Sequence, residues 1–252
     1  LIIEAAVFGI TSWLTSDSGG GIFNQLPAVI FTIANSVAAY FLSLKAMNTY
    51  ETHDESRRVW RFIMIAMFML SVGNIISFLL RYVFRDINLK PPTIADWLGY
   101  IWVFPCLLIA LVRKYNLVKT VGKPNSIMVA LPGVLAIFVM MCILLSPFVS
   151  QILFNIQLRL MALGIIAFTC AMLIYALSIL SEIYTGILSR SWKTIIAGIF
   201  VFAIYYVGYY FILSNNFFAG TKIINDLIMP TLAQTLPIMV GLAAYFEMDI
   251  IG

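Results

Sequence analysis

Few side chains in this 252-residue sequence are equipped for chemistry, and most of those lie inside long apolar runs. The most polar are Asn74, Gln234 and four tyrosines, Tyr205, Tyr206, Tyr209 and Tyr210. Asn74 can line a ligand site, or it can hydrogen-bond a neighbouring helix, where such bonds average ~0.6 kcal/mol. Gln234 stands between Pro230 and Pro237. Each proline removes a backbone donor and leaves a carbonyl in need of a partner. The three residues form a candidate conformational hinge, although prolines are also ordinary packing features of membrane bundles. The tyrosines recur at i and i+4, making two stripes that suit either a cavity or the aromatic belt at a membrane–water boundary. Arg81 and Asp96 stand at facing ends of two apolar runs. As an exposed ion pair they would contribute at most about 1 kcal/mol. Otherwise they mark an outward pocket lined also by Trp97, Tyr100, Tyr209 and Asp226.

Several chemistries are disfavoured by what is absent. His53 is the sole histidine and lies between apolar runs, so bis-histidine haem ligation inside them is impossible. No carboxylate–histidine cluster has the spacing of a zinc or di-metal site. Lys222 sits at the edge of the last run rather than its middle, which disfavours a retinal Schiff base. No charge lies near the centre of any run, against the requirement of ion pumps and proton relays. Cys106, Cys142 and Cys170 form no CxxC and read as small core residues. The expectation is a non-catalytic protein with no metal and no cofactor.

The elements that must position these residues follow from composition. Hydrophobic residues make up 62% of the chain and charged residues 10%, against about 25% charged in soluble domains; mean hydropathy is +1.01. Charge-free runs cover Gly21–Leu44, Phe62–Leu80, Trp97–Val112, Pro124–Leu158, Leu160–Ser181, Thr194–Thr221 and Leu227–Phe246. A bilayer-crossing helix needs roughly 20 apolar residues. The runs therefore predict an all-α integral membrane protein, a seven-transmembrane-helix bundle with spans at about 23–47, 59–82, 95–111, 126–149, 156–181, 192–213 and 223–246. Residues 1–21 read as a short apolar or interfacial segment with a Gly-Ser linker, and 1–14 as a possible remnant of a further span. Residues 22–252 form the transmembrane domain. Ser56 is a candidate cap for the second span, and Thr93 or Asp96 for the third. Pro105 is a candidate kink inside the third.

Charge placement gives orientation. The first, third and fifth connections carry ten Lys and Arg (Lys45, Arg57, Arg58, Arg61; Arg113, Lys114, Lys119, Lys123; Arg190, Lys193) and the even ones five (Arg81, Arg85, Lys90; Arg159; Lys222). By the positive-inside rule the amino terminus is outside and the carboxyl terminus cytoplasmic. The net charge of +4 thus reflects membrane orientation and not a nucleic-acid partner. The expected location is the cell membrane, multi-pass.

Within residues 58–113, Trp60 opens an apolar helix containing Gly73 and Asn74. Pro92, Thr93, Ala95, Asp96 and Tyr100 follow, and then Pro105 in a Phe-Pro-Cys-Leu-Leu stretch. The segment resembles the amino-terminal multi-helix membrane sensory region of prokaryotic diguanylate cyclases and histidine kinases. That resemblance implies a sensory fold. In that family a catalytic output domain follows the last span; this sequence ends at Gly252, which fits either a stand-alone relative or a sequence without its output part, and the membrane part alone carries over no activity. The expected function is a membrane sensor or signal-transduction module. It would receive a stimulus in the bundle or at its outer mouth and pass it, by movement of the last span, to a cytoplasmic partner at 247–252. Alternatives are an accessory subunit of a larger membrane complex and a transporter of a small apolar solute. Expected partners are the lipid bilayer and a membrane or cytoplasmic protein, or a second copy of the chain.

Overall fold

The computed structural model describes residues 26–84, 93–119, 131, 135, 156–183, 189–215 and 229–251, and the regular structure among them is entirely helical. Among the described residues six long helices form: α1 Leu26–Asn48, α2 Glu55–Phe78, α3 Ile101–Val118, α4 Ile156–Glu182, α5 Ser189–Asn215 and α6 Met229–Ile251. Short π-helical segments continue α2 (Leu79–Val83) and precede α3 (Asp96–Tyr100). Among the described residues four helices are long and apolar enough to cross a membrane: Val29–Asn48, Glu55–Phe78, Asp96–Val118 and Gly164–Glu182. In hydrocarbon every backbone N–H and C=O must be satisfied within the chain, which leaves such runs helical. Of the expected span 126–149, only Leu131 and Leu135 are described, both helical; residues 1–25 lie outside the described residues.

The six helices close into a ring. Each packs on its neighbour in chain order, and α6 returns against α1. Small residues line the seams: Ala39, Ala46, Ala66, Ala110, Ala176, Ala243 and Ala244 are buried, with Ser36, Ser43, Ser71 and Ser178. Small side chains let helix backbones approach closely where no hydrophobic drive between helices exists. Larger side chains, among them Trp60, Trp192, Phe104 and Met172, fill the space between.

Two helix pairs run parallel. Asn35 early in α1 bonds Gln234 early in α6, and Tyr50 just past α1 bonds Glu247 near the end of α6. Tyr115 near the end of α3 meets Tyr175 in the later half of α4, ring centroids 5.8 Å apart, and Lys114 of α3 lies over Trp192 at the start of α5, which begins shortly after α4 ends. The ends of α1, α3, α4 and α6 therefore gather with the starts of α2 and α5 at one end of the ring.

Local chemistry fixes the helix starts. Asp54, not Ser56, caps α2: its carboxylate accepts from the Ser56 N–H at 2.7 Å. Asp54→Ala is expected to lower stability by about 1 kcal/mol, measured by thermal unfolding. At the opposite end Thr93 and Asp96 act together. The Asp96 carboxylate accepts from the Thr93 N–H at 2.7 Å and its hydroxyl at 2.8 Å, while the Thr93 hydroxyl accepts weakly from the Asp96 N–H. This is the reciprocal arrangement of a capping box. Of the two prolines expected to flex this helix, Pro237 lies in its interior, and Pro230 is the second of its described residues. The third span continues to Val118, so Arg113 and Lys114, expected in a connecting loop, are helical.

Gly73 in α2 and Gly99 in the segment before α3 mark the closest crossing. A Cβ on Gly99 would stand 2.4 Å from the Gly73 Cα, and one on Gly73 would stand 2.8 Å from the Tyr100 ring.

Candidate functional site

Two polar networks occupy the bundle at different depths. The first joins three helices and the π segment ahead of α3. The Tyr100 hydroxyl donates to the Asn74 side-chain carbonyl at 2.9 Å, and the Asn74 amide donates to the Ser36 hydroxyl at 3.2 Å. Ser36 in turn donates to the Ile33 carbonyl at 2.9 Å. Its chain neighbour Asn35 points to the other side of α1 and donates to Gln234 Oε1 at 2.8 Å. Two adjacent residues of α1 thus tie it to α2 and to α6 at the same level. Gln234 is fully buried and its Nε2 has no hydrogen-bond partner. A buried donor left unpaired costs ~1–3 kcal/mol, so this network is complete except at one amide. Asn74→Leu, which keeps the branching at Cγ but removes both bonds, is expected to destabilise by about 1–2 kcal/mol. Thermal unfolding in lipid nanodiscs reads this directly.

The second network lies about 20 Å away along α6, thirteen residues at 1.5 Å each, where the helix ends gather. Glu247 is 1% exposed. Its Oε1 accepts a short hydrogen bond from the Tyr50 hydroxyl and a longer one, 3.4 Å, from the Trp60 indole N–H. Its Oε2 has no partner. Arg57 donates to the Tyr50 carbonyl at 3.1 Å, which pins the turn between α1 and α2. Lys114 of α3 is also buried, and its ammonium lies over the Trp192 ring at 4.8 Å from the centroid. An ion-pair layer covers the cluster: Glu55 accepts from Arg113 at 3.1 Å and pairs with Arg58. Those side chains are more than a third exposed, so each pair contributes no more than about 1 kcal/mol. Arg190 sits over the Phe246 ring at 4.1 Å.

Burial, the hydrogen bond to Glu247 and the negative charges of Glu247 and Asp54 all hold the Tyr50 hydroxyl protonated well beyond the usual tyrosine range. The unfolded chain releases that proton near pH 10. The stabilisation is therefore fully present below about pH 10 and is lost as pH rises above it. Tyr50→Phe should lower stability at neutral pH yet flatten the decline between pH 9.5 and 11, measured as thermal midpoint against pH.

The residues expected to line an outward pocket do not all converge. Asp96 is committed to the capping box, and Trp97 is 45% exposed, its carbonyl accepting from the Trp102 indole at 3.1 Å. Tyr100 turns inward to Asn74. Gln234 joins Asn74's level of the bundle through Asn35 and Ser36, so these two expected residues are brought together. The backbone of Arg81 lies in the π segment after α2 and that of Tyr209 in α5; their side chains, that of Pro230 and the whole of Asp226 lie outside the described residues. Tyr205 stacks on Phe202, which meets Phe104, so this tyrosine joins the core side of α5. Cys170 is buried and Cys106 partly so, while His53 is exposed. Among the described residues no cluster of three or more His, Cys, Asp or Glu could hold a metal.

Sequence reasoning missed the second network. Lys114 was expected in a loop and Glu247 in a partner-facing tail, yet both are buried; Asp249, two residues on, is exposed. The available signal was periodicity. Lys114 continues the buried series Leu107, Ala110, Leu111, and Glu247 continues Leu236, Val240, Ala243 and Ala244, each at helical spacing. No family model, no curated protein and no solved structure matches the chain.

Proposed function

We propose that the chain is a non-catalytic, seven-span membrane sensor or signal-transduction module, amino terminus outside, with the Glu247 cluster at its cytoplasmic end. The observation that carries the reading is the polar chain from Tyr100 through Asn74 and Ser36, with Asn35–Gln234 beside it. It joins α1, α2, α6 and the start of α3 at one level. A stimulus that alters any one member changes the packing of the others, and α6 carries both this network and Glu247. The exposed carboxyl-terminal residue of α6 with charge, Asp249, offers the contact to a cytoplasmic partner.

Two observations support the seven crossings. α3 and α4 pack in parallel, and the sequence between them contains residues 126–149, a run apolar enough and long enough for a further span. The basic residues Lys45, Arg57, Arg58, Arg61, Arg113, Lys119, Arg190 and Lys193 belong to the end where Glu247 lies, which the positive-inside rule assigns to the cytoplasm. The resemblance of residues 58–113 to that sensory region supports the same reading.

The test is complementation in the native host. Transcript profiles of a deletion strain are compared after return of the wild-type chain, Gln234→Leu or Asn74→Leu at matched membrane abundance. Restoration by the wild type and failure by the variants is expected. Full restoration by both variants, or isolation of the chain only in a fixed stoichiometric complex whose assembly explains the phenotype, contradicts the sensor reading in favour of a structural subunit.

A further inference from the structure

One ammonium in this bundle has two competing places to go. Lys114 lies over the Trp192 ring at 4.8 Å, a cation–π contact that strengthens with desolvation. Across the same cluster, Glu247 is 1% exposed and uses only one carboxylate oxygen, Oε1, for Tyr50 and Trp60. The other, Oε2, is buried and empty-handed. Lys114 is near enough to feel the charges of both Glu247 and Asp54. Arg57, the further cation of the cluster, is anchored through Nη1 to the Tyr50 carbonyl with its buried Nε unpaired, and Glu55 is held by Arg58 and Arg113. A buried carboxylate oxygen without a donor is costly, and a lysine is a flexible point charge that can change partner by rotamer alone.

We propose that Lys114 is a two-position latch: in the state described here its ammonium rests on the Trp192 ring and grips the start of α5, and in a second state it swings to Glu247 Oε2 and grips the end of α6. Tyr50 and Trp60 keep Oε1 fixed throughout, so Oε2 is presented as a stationary acceptor. The exchange moves one cationic tether from the α3–α5 seam to the α3–α6 seam. It uncovers the Trp192 indole, whose N–H has no partner in the present state, for a new contact at the same end. Two discrete arrangements of one side chain, each with its own helix partner, are the kind of bistable element through which a switch acts. The latch is a property of the cluster and holds whether the bundle signals or serves as a subunit.

The experiment is ¹⁹F NMR of the full chain in lipid nanodiscs with 5-fluorotryptophan, the Trp192 signal being assigned by its loss in Trp192→Phe. The wild type is expected to show two Trp192 resonances, or one with exchange broadening, for the covered and the uncovered ring. Lys114→Met should leave only the uncovered-ring line. Glu247→Gln should reduce the uncovered-ring population at least about tenfold, since the charge that attracts the ammonium is gone. Glu247→Asp, the gentler change should the first variant fail to fold, is expected to shift the ratio of the two lines several-fold. A single, non-exchanging wild-type line overturns the proposal, and so does a two-line pattern that neither Glu247 variant alters.

Discussion

Glu247→Ala is expected to lower stability by about 3–5 kcal/mol, the largest single-residue effect in the bundle. The side chain is 1% exposed and is the acceptor for both the Tyr50 hydroxyl and the Trp60 indole. Truncation leaves two donors unpaired, at ~1–3 kcal/mol each for groups that stay buried. It also removes the nearest negative charge from the buried Lys114, the situation in which loss of one partner of a buried charge cluster costs ~3–5 kcal/mol. For a chain of this length that corresponds to a fall in thermal midpoint on the order of 10 °C. Glu247→Gln keeps an acceptor for Tyr50 and Trp60 and should lose roughly half as much. The comparison separates hydrogen bonding from charge, because only the charge is missing in the glutamine variant. Midpoints measured by fluorescence in nanodiscs at pH 7 check both, and equal losses for the two variants would assign the whole effect to charge.

Gly99→Ala is the second. The new Cβ would stand 2.4 Å from the Gly73 Cα, 2.6 Å from its N and 3.0 Å from the Met69 carbonyl oxygen. Every one of these atoms is backbone, so no rotamer change relieves the overlap and α2 must separate from the segment that leads into α3. Overpacking of this kind costs ~1–3 kcal/mol. The displacement also carries Tyr100 away from Asn74, so the loss is expected near the upper end of that range. Gly164→Ala in α4 is the control: its Cβ would meet nothing within 4 Å. There the higher helix propensity of alanine should leave stability unchanged or raise it by up to ~1 kcal/mol. Should both glycine variants behave alike, the crossing is not as tight as the backbone geometry requires.

The helices were readable because each is a long uncharged run and hydrocarbon permits almost no other backbone conformation. Asn74 and Gln234 were readable as polar residues that had to find partners, and they did, through Asn35 and Ser36. What could not be read was which partners. Asn35 and Ser36 are consecutive, and only the relative placement of α2 and α6 decides that one faces each way. Charges near the run ends were misread for a physical reason. Positive-inside counting treats every terminal Lys or Arg as a loop residue, whereas α3 continues a full turn beyond Lys114 and buries it. Glu247 was assigned to the exposed tail on the same logic, although its helical phase with Val240 and Ala244 places it inward. The capping pair Thr93–Asp96 was visible as alternatives; that the two side chains act reciprocally depends on both being at the same helix start.

The seven-crossing arrangement with the Glu247 cluster in the cytoplasm is tested most directly by labelling single cysteines in intact cells with a membrane-impermeant maleimide. Cys106, Cys142 and Cys170 are first replaced, and a cysteine is then placed at His53, Ile87, Lys119 or Gln151. Labelling from outside is expected at 87 and 151, and at 53 and 119 only after the cells are opened. Labelling of 119 and 151 from the same side would contradict the account, because α3 and α4 could not then be separated by a crossing.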